Sequence, residues 1–439
     1  MIKFIDLFAG IGGIRKGFEQ ACQNLGIGAQ CVFTSEIKPA AINVLRQNHP
    51  DENIYGDITK IPASSIPTFD ILLAGFPCQA FSAAGKRQGF MDTRGTMFFE
   101  VERILKEKKP YGFILENVEG LVNHDKDDSK VPIGRTLTTI LNHLDALGYK
   151  VTWKVLNAKD FGLAQDRKRI YIGGCLDEKP SFDKFNVSHR ILQDVLEQGK
   201  EVVNTPFTKI LLEKYCIHEL YGKSIKDKRG GPNNIHSWDL ELKGPVTQKQ
   251  KDLLNMLFKE RRKKKWAEEY GIKWMDGMPL SLAQIKTFFD DAHLENTLED
   301  LVTKGYLKKE HPKKQVVETD IYGNERKYRV QDETLPLGYN IVTGKLSFEV
   351  NKILSPDGVA PTLVAMDMQK LFVPDIGGIR HLTLREGLRL FGYPEDFKFH
   401  VENKEGYDLL GNTVAVPVIK AVSERVIDHY IKHLNSLRT

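Results

Sequence analysis

Short apolar runs alternate with helix-like patterns over residues 1–180. The apolar runs predict strands at 2–8, 30–35, 69–74, 111–116, 150–157 and 169–174. Apolar residues spaced three and four apart predict helices at 12–22, 39–48, 96–106 and 135–147. Strands that alternate with helices in this way indicate βαβ units. The pattern therefore predicts an α/β fold with a doubly wound, mostly parallel sheet.

This rhythm stops near residue 180 and returns near residue 376. The sequence between, 181–375, is irregular and rich in lysine, which predicts a second, smaller domain. Within it, two helical patterns and a strand pair turning at Gly323-Asn324 indicate a winged-helix-like insert over about 280–330. Helices packed on a sheet would give the same pattern. The helical pattern returns past Leu382, and we expect residues 376–439 to complete the first domain.

The composition excludes several classes of protein. Of the 439 residues, 41% are hydrophobic and 28% are charged, as is usual for a globular protein. No apolar run approaches the length of about 18 residues that a membrane span needs. The N-terminus leads directly into a strand without a signal-peptide layout, which predicts a cytoplasmic location. The five cysteines form no CxxC pair, which argues against a metal site or a disulfide framework.

Positive charge is concentrated in one part of the chain. The net charge is +5, and residues 243–329 alone contain 19 Lys and Arg against 14 Asp and Glu. A basic region on an otherwise balanced chain predicts a polyanionic partner. A solvated helix face would account for the charge equally well.

Cys78 follows a predicted strand instead of lying within it. The apolar run Ile71–Ala74 ends at Gly75, and Pro77 then stiffens the backbone in front of the cysteine. Open α/β sheets place their chemistry at this edge, and a thiolate is a strong carbon nucleophile. An inert cysteine is the alternative.

Other polar groups are predicted at the same edge. The segment "FIDLFAGIGGIRKGF" indicates a strand, a glycine loop and a helix that could hold a nucleotide-like cofactor. Glu36 ends the next strand, where such folds place a carboxylate on ribose hydroxyls. Glu116 ends a later strand and can share an edge with Cys78. Arg167 and Arg169 are two residues apart and point the same way, which suits phosphate or carboxylate binding.

Six segments together resemble the DNA cytosine-5 methyltransferases. They are "DLFAGIGG", "GFPCQAFS", "ENV", "QDRKR", "LREGLRLFGYP" and "GNTVAVPV", in that family's usual order. The resemblance covers residues 1–180 and 375–439, and the region between is where the family has its variable target-recognition domain. It implies the S-adenosylmethionine-dependent methyltransferase fold, S-adenosyl-L-methionine as cofactor and a cytosine flipped out of duplex DNA.

The resemblance also implies roles for single residues. Cys78 would attack C6 of cytosine, Glu116 would hydrogen-bond or protonate N3, and Arg167 and Arg169 would hold the base. The cofactor would contact Phe8, Ala9, Gly10, Gly12, Glu36, Asp57, Ile58, Pro77, Asn412 and Val414. DNA would contact Ser82, Lys86, Arg87 and Arg94 in a segment that closes on it, and Thr362. Apart from the resemblance, the dense basic run "KERRKKKW" predicts phosphate contacts by Arg261, Arg262 and Lys264. A solvated helix face that points away from DNA is the alternative for that run. Thr413 stands where serine is more usual.

The sequence therefore predicts a site-specific DNA (cytosine-5-)-methyltransferase of a bacterial restriction-modification system. We expect a monomer that acts on double-stranded DNA and is paired in function with a restriction endonuclease without forming a stable complex with it. A tRNA cytosine-5 methyltransferase is the alternative with the same chemistry. A nucleotide-binding oxidoreductase would leave Cys78 and Glu116 unexplained, and an inactive DNA-binding module would not need them.

Overall fold

The computed structural model describes residues 1–77, 97–126, 131–227, 233–272, 277–319, 325–342, 348–365 and 367–436. The chain divides into two compact units. The first unit comprises residues 1–200, 354–369 and 381–439, and the second comprises residues 201–353 and 370–380. Residues 354–369 thus fold with the first unit, although they fall inside the predicted 181–375 domain.

Within the described part of the chain, the first unit is built on a seven-stranded sheet. Its strands are β1 (Ile2–Leu7), β2 (Ala29–Ser35), β3 (Ile54–Tyr55), β4 (Ile71–Gly75), β5 (Gly112–Val118), β6 (Lys150–Asn157) and β7 (Lys168–Cys175). The order across the sheet is β3-β2-β1-β4-β5-β7-β6, and β7 runs antiparallel to both of its neighbours while the other pairs are parallel. The predicted doubly wound, mostly parallel α/β sheet is confirmed.

The described helices lie in both units, and those within 201–353 belong to the second unit. They are α1 (Gly13–Asn24), α2 (Pro39–Asn48), α3 (Met97–Lys108), α4 (Arg135–Ala146), α5 (Pro206–Lys214), α6 (Ile217–Leu220), α7 (Gln248–Glu260), α8 (Lys265–Glu269), α9 (Leu282–Lys286), α10 (Leu294–Thr303), α11 (Leu384–Phe391), α12 (Asn403–Gly411) and α13 (Val416–Ser436). Short 3-10 helices lie at Ile58–Lys60, Ala63–Ser65, Glu119–Asn123, Ala158–Asp160, Leu192–Asp194 and Met368–Lys370.

The sheet carries an apolar core on each face. Side chains alternate between the faces along a strand, so Ile5 and Leu7 of β1 pack on one side with α3 and α4. Ile2 and Phe4 point to the other side and pack with α1 and α13. Both faces are therefore covered, as expected for a parallel sheet.

Local sequence fixes several helix ends. Pro39 stands in the first turn of α2, where its missing N–H costs nothing and its fixed φ suits a helix. Thr383 caps α11 by accepting a hydrogen bond from the backbone of Glu386, whose side chain bonds back to the Thr383 N–H. Gly392 ends that helix in the left-handed conformation, with φ of 79°.

The second unit contains short strands and its own apolar cores. Its strands are β8 (Ser224–Ile225), β9 (Asn234–Ile235), β10 (Leu307–Glu310), β11 (Lys313–Thr319), β12 (Glu325–Gln331), β13 (Gly338–Ile341), β14 (Lys352–Ile353), β15 (Leu371–Asp375) and β16 (Gly378–His381), the last of which ends one residue into the first unit. One core forms around Trp238, α7 and α10, and the other around Leu211, Ile353 and Phe372. Over 280–330 the order is helix, helix, strand and hairpin, and a winged-helix relationship stays a prediction. No described helix of either unit has the length and apolar character that a membrane crossing requires.

Candidate active site

A cavity of about 540 Å³ opens in the first unit at the carboxyl ends of the central strands. The strand order reverses between β1 and β4, and open α/β sheets bind ligands at such a switch point. The lining of the cavity begins with residues that follow β1, β2 and β4. It continues through the end of β5 to the residues from Asp408 to Thr413, which lie in the last turn of α12 and just beyond it.

The loop from β1 to α1 brings backbone to the cavity wall. Phe8, Gly10 and Gly12 all have positive φ, of 55°, 56° and 81°. This conformation is unfavourable for a residue such as Phe8, so the turn is held by its surroundings. A Cβ on Gly10 would meet no atom within 4 Å, so the loop leaves open space there. The N-terminus of α1, which favours anionic groups, follows directly.

Glu36, just after β2, ties this loop to the next one. Its Oε2 accepts a hydrogen bond of 2.7 Å from the Gly10 N–H. Its Oε1 accepts bonds of 2.8 Å from the N–H groups of Ile37 and Lys38. A carboxylate offers about four acceptor positions, so one remains for a ligand hydroxyl. Glu36, the open space at Gly10 and the start of α1 therefore fit a ligand that carries both a ribose and a charged amino-acid end, as S-adenosylmethionine does.

Glu116 and Arg169 form a buried charged pair on the opposite wall. Glu116 lies at the end of β5, directly across from Gly75 of β4, and is 8% exposed. Its Oε1 is 3.3 Å from Nε of Arg169. Burial raises the pKa of the Glu116 carboxyl, and Arg169 and then Arg167 act to lower it. Glu116 therefore keeps its proton to a higher pH than an exposed glutamate does, and it lines a cavity where it can donate that proton.

Asn117 positions the backbone that leads to Cys78. Its Nδ2 donates a hydrogen bond of 3.1 Å to the carbonyl oxygen of Phe76. The next residue, Pro77, lines the cavity beside Glu116 and Gly75. Cys78 itself lies outside the described residues. The described chain therefore brings the approach to Cys78 and the carboxyl group of Glu116 to one cavity.

Arg167 binds backbone carbonyl groups from two distant segments. It is 3% exposed, and its guanidinium donates hydrogen bonds of 2.9 Å to the Leu363 carbonyl and 2.7 Å to the Thr413 carbonyl. A longer bond of 3.4 Å reaches the carbonyl of Gly411. The guanidinium also lies over the ring of Phe391, 5.1 Å from its centre. These contacts hold the wall of the cavity, whereas Arg169 contacts Glu116.

Two further side-chain pairs shape the cavity. The hydroxyl groups of Tyr393 and Thr413 are 2.6 Å apart and buried. A Cβ on Gly13 would lie 2.6 Å from the Tyr393 hydroxyl, so α1 begins directly against this pair. At the rim, the Lys38 ammonium forms an ion pair with the carboxylate of Asp408.

The comparison with known proteins decides the family. The model of the C-5 cytosine-specific DNA methylase family matches residues 2–428. The chain belongs to that family. The Type II methyltransferase M.NlaIV of Neisseria lactamica is 65% identical over 97% of this chain and 99% of its own. M.NgoBV of Neisseria gonorrhoeae is 63% identical over the same shares. A crystal structure of the S. pombe Dnmt2 methyltransferase covers 99% of this chain and 100% of its own, with 16% identity and a TM-score of 0.52, which supports the fold.

Membership in this family confirms the prediction of a DNA (cytosine-5-)-methyltransferase. Most residues that were predicted to bind the cofactor line the methylase cavity: Phe8, Gly10, Glu36, Asp57, Ile58, Pro77 and Asn412. Three of the predicted residues do not line the cavity and are buried: Ala9, Gly12 and Val414. Glu116, Arg167 and Arg169 also line the cavity.

Only some of the residues that were predicted to contact DNA lie in the described part of the chain. Ser82, Lys86, Arg87 and Arg94 lie outside the described residues. Thr362 is half-buried, and its hydroxyl donates a hydrogen bond of 2.7 Å to the carbonyl of Asp166.

The basic run at the end of α7 contains one buried arginine. Arg261 is 6% exposed and donates a 2.6 Å hydrogen bond to Oδ1 of Asn340. Because its guanidinium is inside the second unit, a phosphate contact by Arg261 is not supported. Arg262 is half-buried against the ring of Phe258, and Lys264 is exposed. Their contacts with DNA stay predictions.

The sequence did not indicate three polar residues that hold the walls of the cavity. Asn117 was quoted in a motif without a role, and Tyr393 and Asp408 were not singled out. Asn117 lies in the segment "ENV" and Tyr393 lies in "LFGYP". These segments drew attention to the two residues, but the partner of each lies elsewhere along the chain.

Proposed function

We propose that this methylase transfers a methyl group from S-adenosylmethionine to C5 of a cytosine at a specific site in double-stranded DNA. The cytosine is flipped out of the helix, since neither face of its ring is accessible inside a stacked duplex. The observation that carries the proposal is the buried Glu116, with its raised pKa, in the cavity that Pro77 lines next to Cys78.

Cys78 is the proposed nucleophile. Its sulfur forms a bond to C6 of cytosine, which leaves electron density on C5. S-adenosylmethionine, when bound, supplies the methyl group that C5 takes up. A base then removes the C5 proton, the bond between carbon and sulfur breaks, and the double bond between C5 and C6 is restored with release of the thiolate.

Glu116 stabilises the charge that develops in the ring. Addition at C6 pushes electron density toward N3, and a protonated carboxyl at that position can donate a hydrogen bond or a proton to it. Burial favours this protonated form. Nε of Arg169 lies 3.3 Å from Oε1 of Glu116. Its positive charge limits the rise in the pKa of Glu116, and its position orients the carboxyl group.

Arg167 is a positioning residue in this proposal. It contacts the carbonyl groups of Leu363 and Thr413 and so holds the wall that carries Asn412. Phe8, Gly10, Glu36, Asp57 and Asn412 would hold the cofactor from the loops around that wall.

We also propose that the second unit reads the DNA sequence and that methylation protects DNA from a cognate restriction endonuclease. The excess of basic over acidic residues in 243–329 supports the proposal that the second unit reads DNA. The Type II names of relatives that match nearly the whole chain support the proposal of protection from an endonuclease. The tRNA alternative is disfavoured because the match is to a DNA methylase family over residues 2–428.

Covalent trapping tests the proposal. Duplex DNA with 5-fluorocytosine at the target should form a stable adduct with the wild-type protein, because fluorine cannot leave as a proton does. Cys78→Ser should form no adduct and should retain S-adenosylmethionine binding in calorimetric titration. Turnover by the serine variant within a few-fold of the wild-type rate would refute the role of Cys78. Methyl transfer to tRNA but not to duplex DNA would refute the substrate.

Glu116→Gln separates chemistry from binding. The variant should bind DNA normally and lose methyl transfer by roughly two to four powers of ten, the usual range for general acid–base help. A loss below about fivefold would mean that another group contacts N3.

A further inference from the structure

Strands β11 and β12 form a two-stranded antiparallel ribbon in the second unit. Among the described strands they pair only with each other, in the register Gln315 opposite Arg329 and Val317 opposite Lys327. The ribbon contains five basic and two acidic residues. None of its residues belongs to the two apolar cores of the unit. Packing in those cores or pairing in a larger sheet therefore does not explain why the second unit has this ribbon.

The ribbon has two unlike faces. Side chains alternate along each strand, so Val316, Tyr328 and Val330 share one face, and all three are half-buried. The opposite face carries Gln315, Val317, Lys327 and Arg329, and all four are exposed. We call these four residues the outer face. Val317, 48% exposed, places an apolar group among polar ones.

The base of the ribbon is closed by contacts between its two legs. The N–H of Asp332 donates to the carbonyl of Pro312 at 2.8 Å, and the N–H of His311 donates to Oε1 of Gln331 at 3.0 Å. Asp332 also pairs with Lys314 at 3.4 Å. These contacts tie one leg to the other, and the strands before and after the ribbon, β10 and β13, pair with each other in the second unit.

We propose that the outer face of this ribbon enters the major groove of the target duplex and that Gln315 and Arg329 read base edges there. The inference rests on the proposed function, in which the second unit reads DNA. A two-stranded ribbon fits the major groove. Arginine pairs with O6 and N7 of guanine, glutamine pairs with N6 and N7 of adenine, and an apolar group contacts the methyl of thymine. Positive charge matches the phosphates on either side.

Dimensions set the length of sequence that is read. Gln315 and Val317 are two residues apart on one strand, which is roughly 7 Å. That distance corresponds to about two base-pair steps of duplex DNA. The outer face therefore reads about two or three adjacent base pairs, with Lys327 at the edge, where it reaches a phosphate.

A matched pair of variants tests the ribbon. Arg329→Ala and Arg326→Ala remove the same side chain and the same charge from one strand, but Arg326 lies on the opposite face. The site that the wild-type protein modifies is first found by bisulfite sequencing of methylated plasmid. Binding is then titrated at fixed salt with that duplex and with every single base-pair substitution of it.

Arg329→Ala should reduce discrimination at one base pair by roughly 5- to 150-fold, the range for a bidentate base contact. Arg326→Ala should weaken binding to all duplexes by the same small factor. Arg329→Lys keeps the charge and loses the two-pronged geometry, so it should lose discrimination while the salt dependence stays as in the wild type.

Unchanged discrimination in Arg329→Ala and Gln315→Ala would overturn the proposal. So would equal losses in Arg329→Ala and Arg326→Ala, which would indicate general attraction to phosphate. Failure of the wild-type protein to methylate any DNA would instead refute the proposed function, so the two failures are distinguishable.

Discussion

The guanidinium of Arg167 donates a 2.7 Å hydrogen bond to the carbonyl oxygen of Thr413, 246 residues further along the chain. Helix α12 ends at Gly411, and the last carbonyl groups of a helix have no partner within it. The same guanidinium lies 3.4 Å from the carbonyl oxygen of Gly411, which is one of these groups, and its charge favourably opposes the negative end of the helix dipole. Arg167 thereby holds the C-terminal wall of the cavity against the sheet.

Arg167→Lys should therefore weaken the contacts that hold the cavity wall, while the positive charge at this position is kept. Lysine cannot donate to Leu363 and Thr413 in the same forked geometry, and each lost charged hydrogen bond costs about 1.5–3 kcal/mol. We expect a lower free energy of unfolding in urea and weaker S-adenosylmethionine binding by calorimetry. Arg169→Lys is the control and should alter the pH dependence of methyl transfer more than cofactor affinity. Equal cofactor affinity in both variants would contradict this role.

The Tyr393 and Thr413 hydroxyl pair predicts a contrast between two substitutions. Thr413→Ser keeps the hydroxyl that lies 2.6 Å from that of Tyr393. Thr413→Val keeps the shape but leaves the buried tyrosine hydroxyl without this partner, which costs about 1–3 kcal/mol. Thermal unfolding should place the serine variant close to the wild type and the valine variant clearly below it. Similar melting temperatures for both would show that the hydroxyl bond contributes little.

Asp6 predicts a pH dependence of stability. It lies on β1, is 0% exposed, and neither carboxyl oxygen has a hydrogen-bond partner among the described residues. Burial raises its pKa from 3.8 to about 8, although Arg15 acts to lower it. Since the folded state binds this proton more tightly, its contribution to stability is complete below pH 3.8. It is lost as pH rises toward about 8, by at most about 1.4 kcal/mol per pH unit.

Asp6→Asn cannot ionise and should remove that slope. Urea unfolding of both proteins at intervals between pH 4 and pH 8 measures the difference. The two stability curves should diverge as the pH rises, with the asparagine variant falling less. Parallel curves over this range would mean that Asp6 is ionised in the folded protein.

The basic run after α7 predicts different outcomes for neighbouring residues. Arg261→Gln removes a buried hydrogen bond to Asn340 and should destabilise the protein by about 1.5–3 kcal/mol. The double variant Arg262→Gln with Lys264→Gln should retain stability. If both residues contact phosphates, it should flatten the slope of log affinity against log salt by up to about 2 units. An unchanged slope in the double variant would place this run away from DNA.

The order of strands and helices could be predicted because it follows local patterns. Apolar runs such as Ile71–Ala74 marked buried strands, and the spacing of apolar residues marked α2 and α4. The antiparallel direction of β7 could not be predicted in the same way. A strand's direction depends on the path of the chain between strands, and hydrophobic alternation is the same for either direction.

Chemical groups at the cavity were predictable from residue type and from a position near or just after the carboxyl end of a strand, as with Glu116 and Glu36. The partners of Arg167 were not, because they are backbone carbonyls that any sequence supplies. The burial of Arg261 could not be predicted from the sequence either. A dense run of positive charge suggests a surface, and burial is decided by Asn340, which is 79 residues away.

The packing of α1 against α13 has a consequence for protein synthesis. A Cβ on Gly17 would lie 2.6 Å from a carbon of Ile419, so these helices are shaped for each other. A ribosome completes α1 about 390 residues before it reaches the start of α13, which at 5–20 residues per second takes roughly 20–80 s. During that interval the apolar side of α1 has no α13 to cover it. A nascent chain therefore exposes this apolar surface during synthesis, and it gains a complete ligand pocket only late in translation.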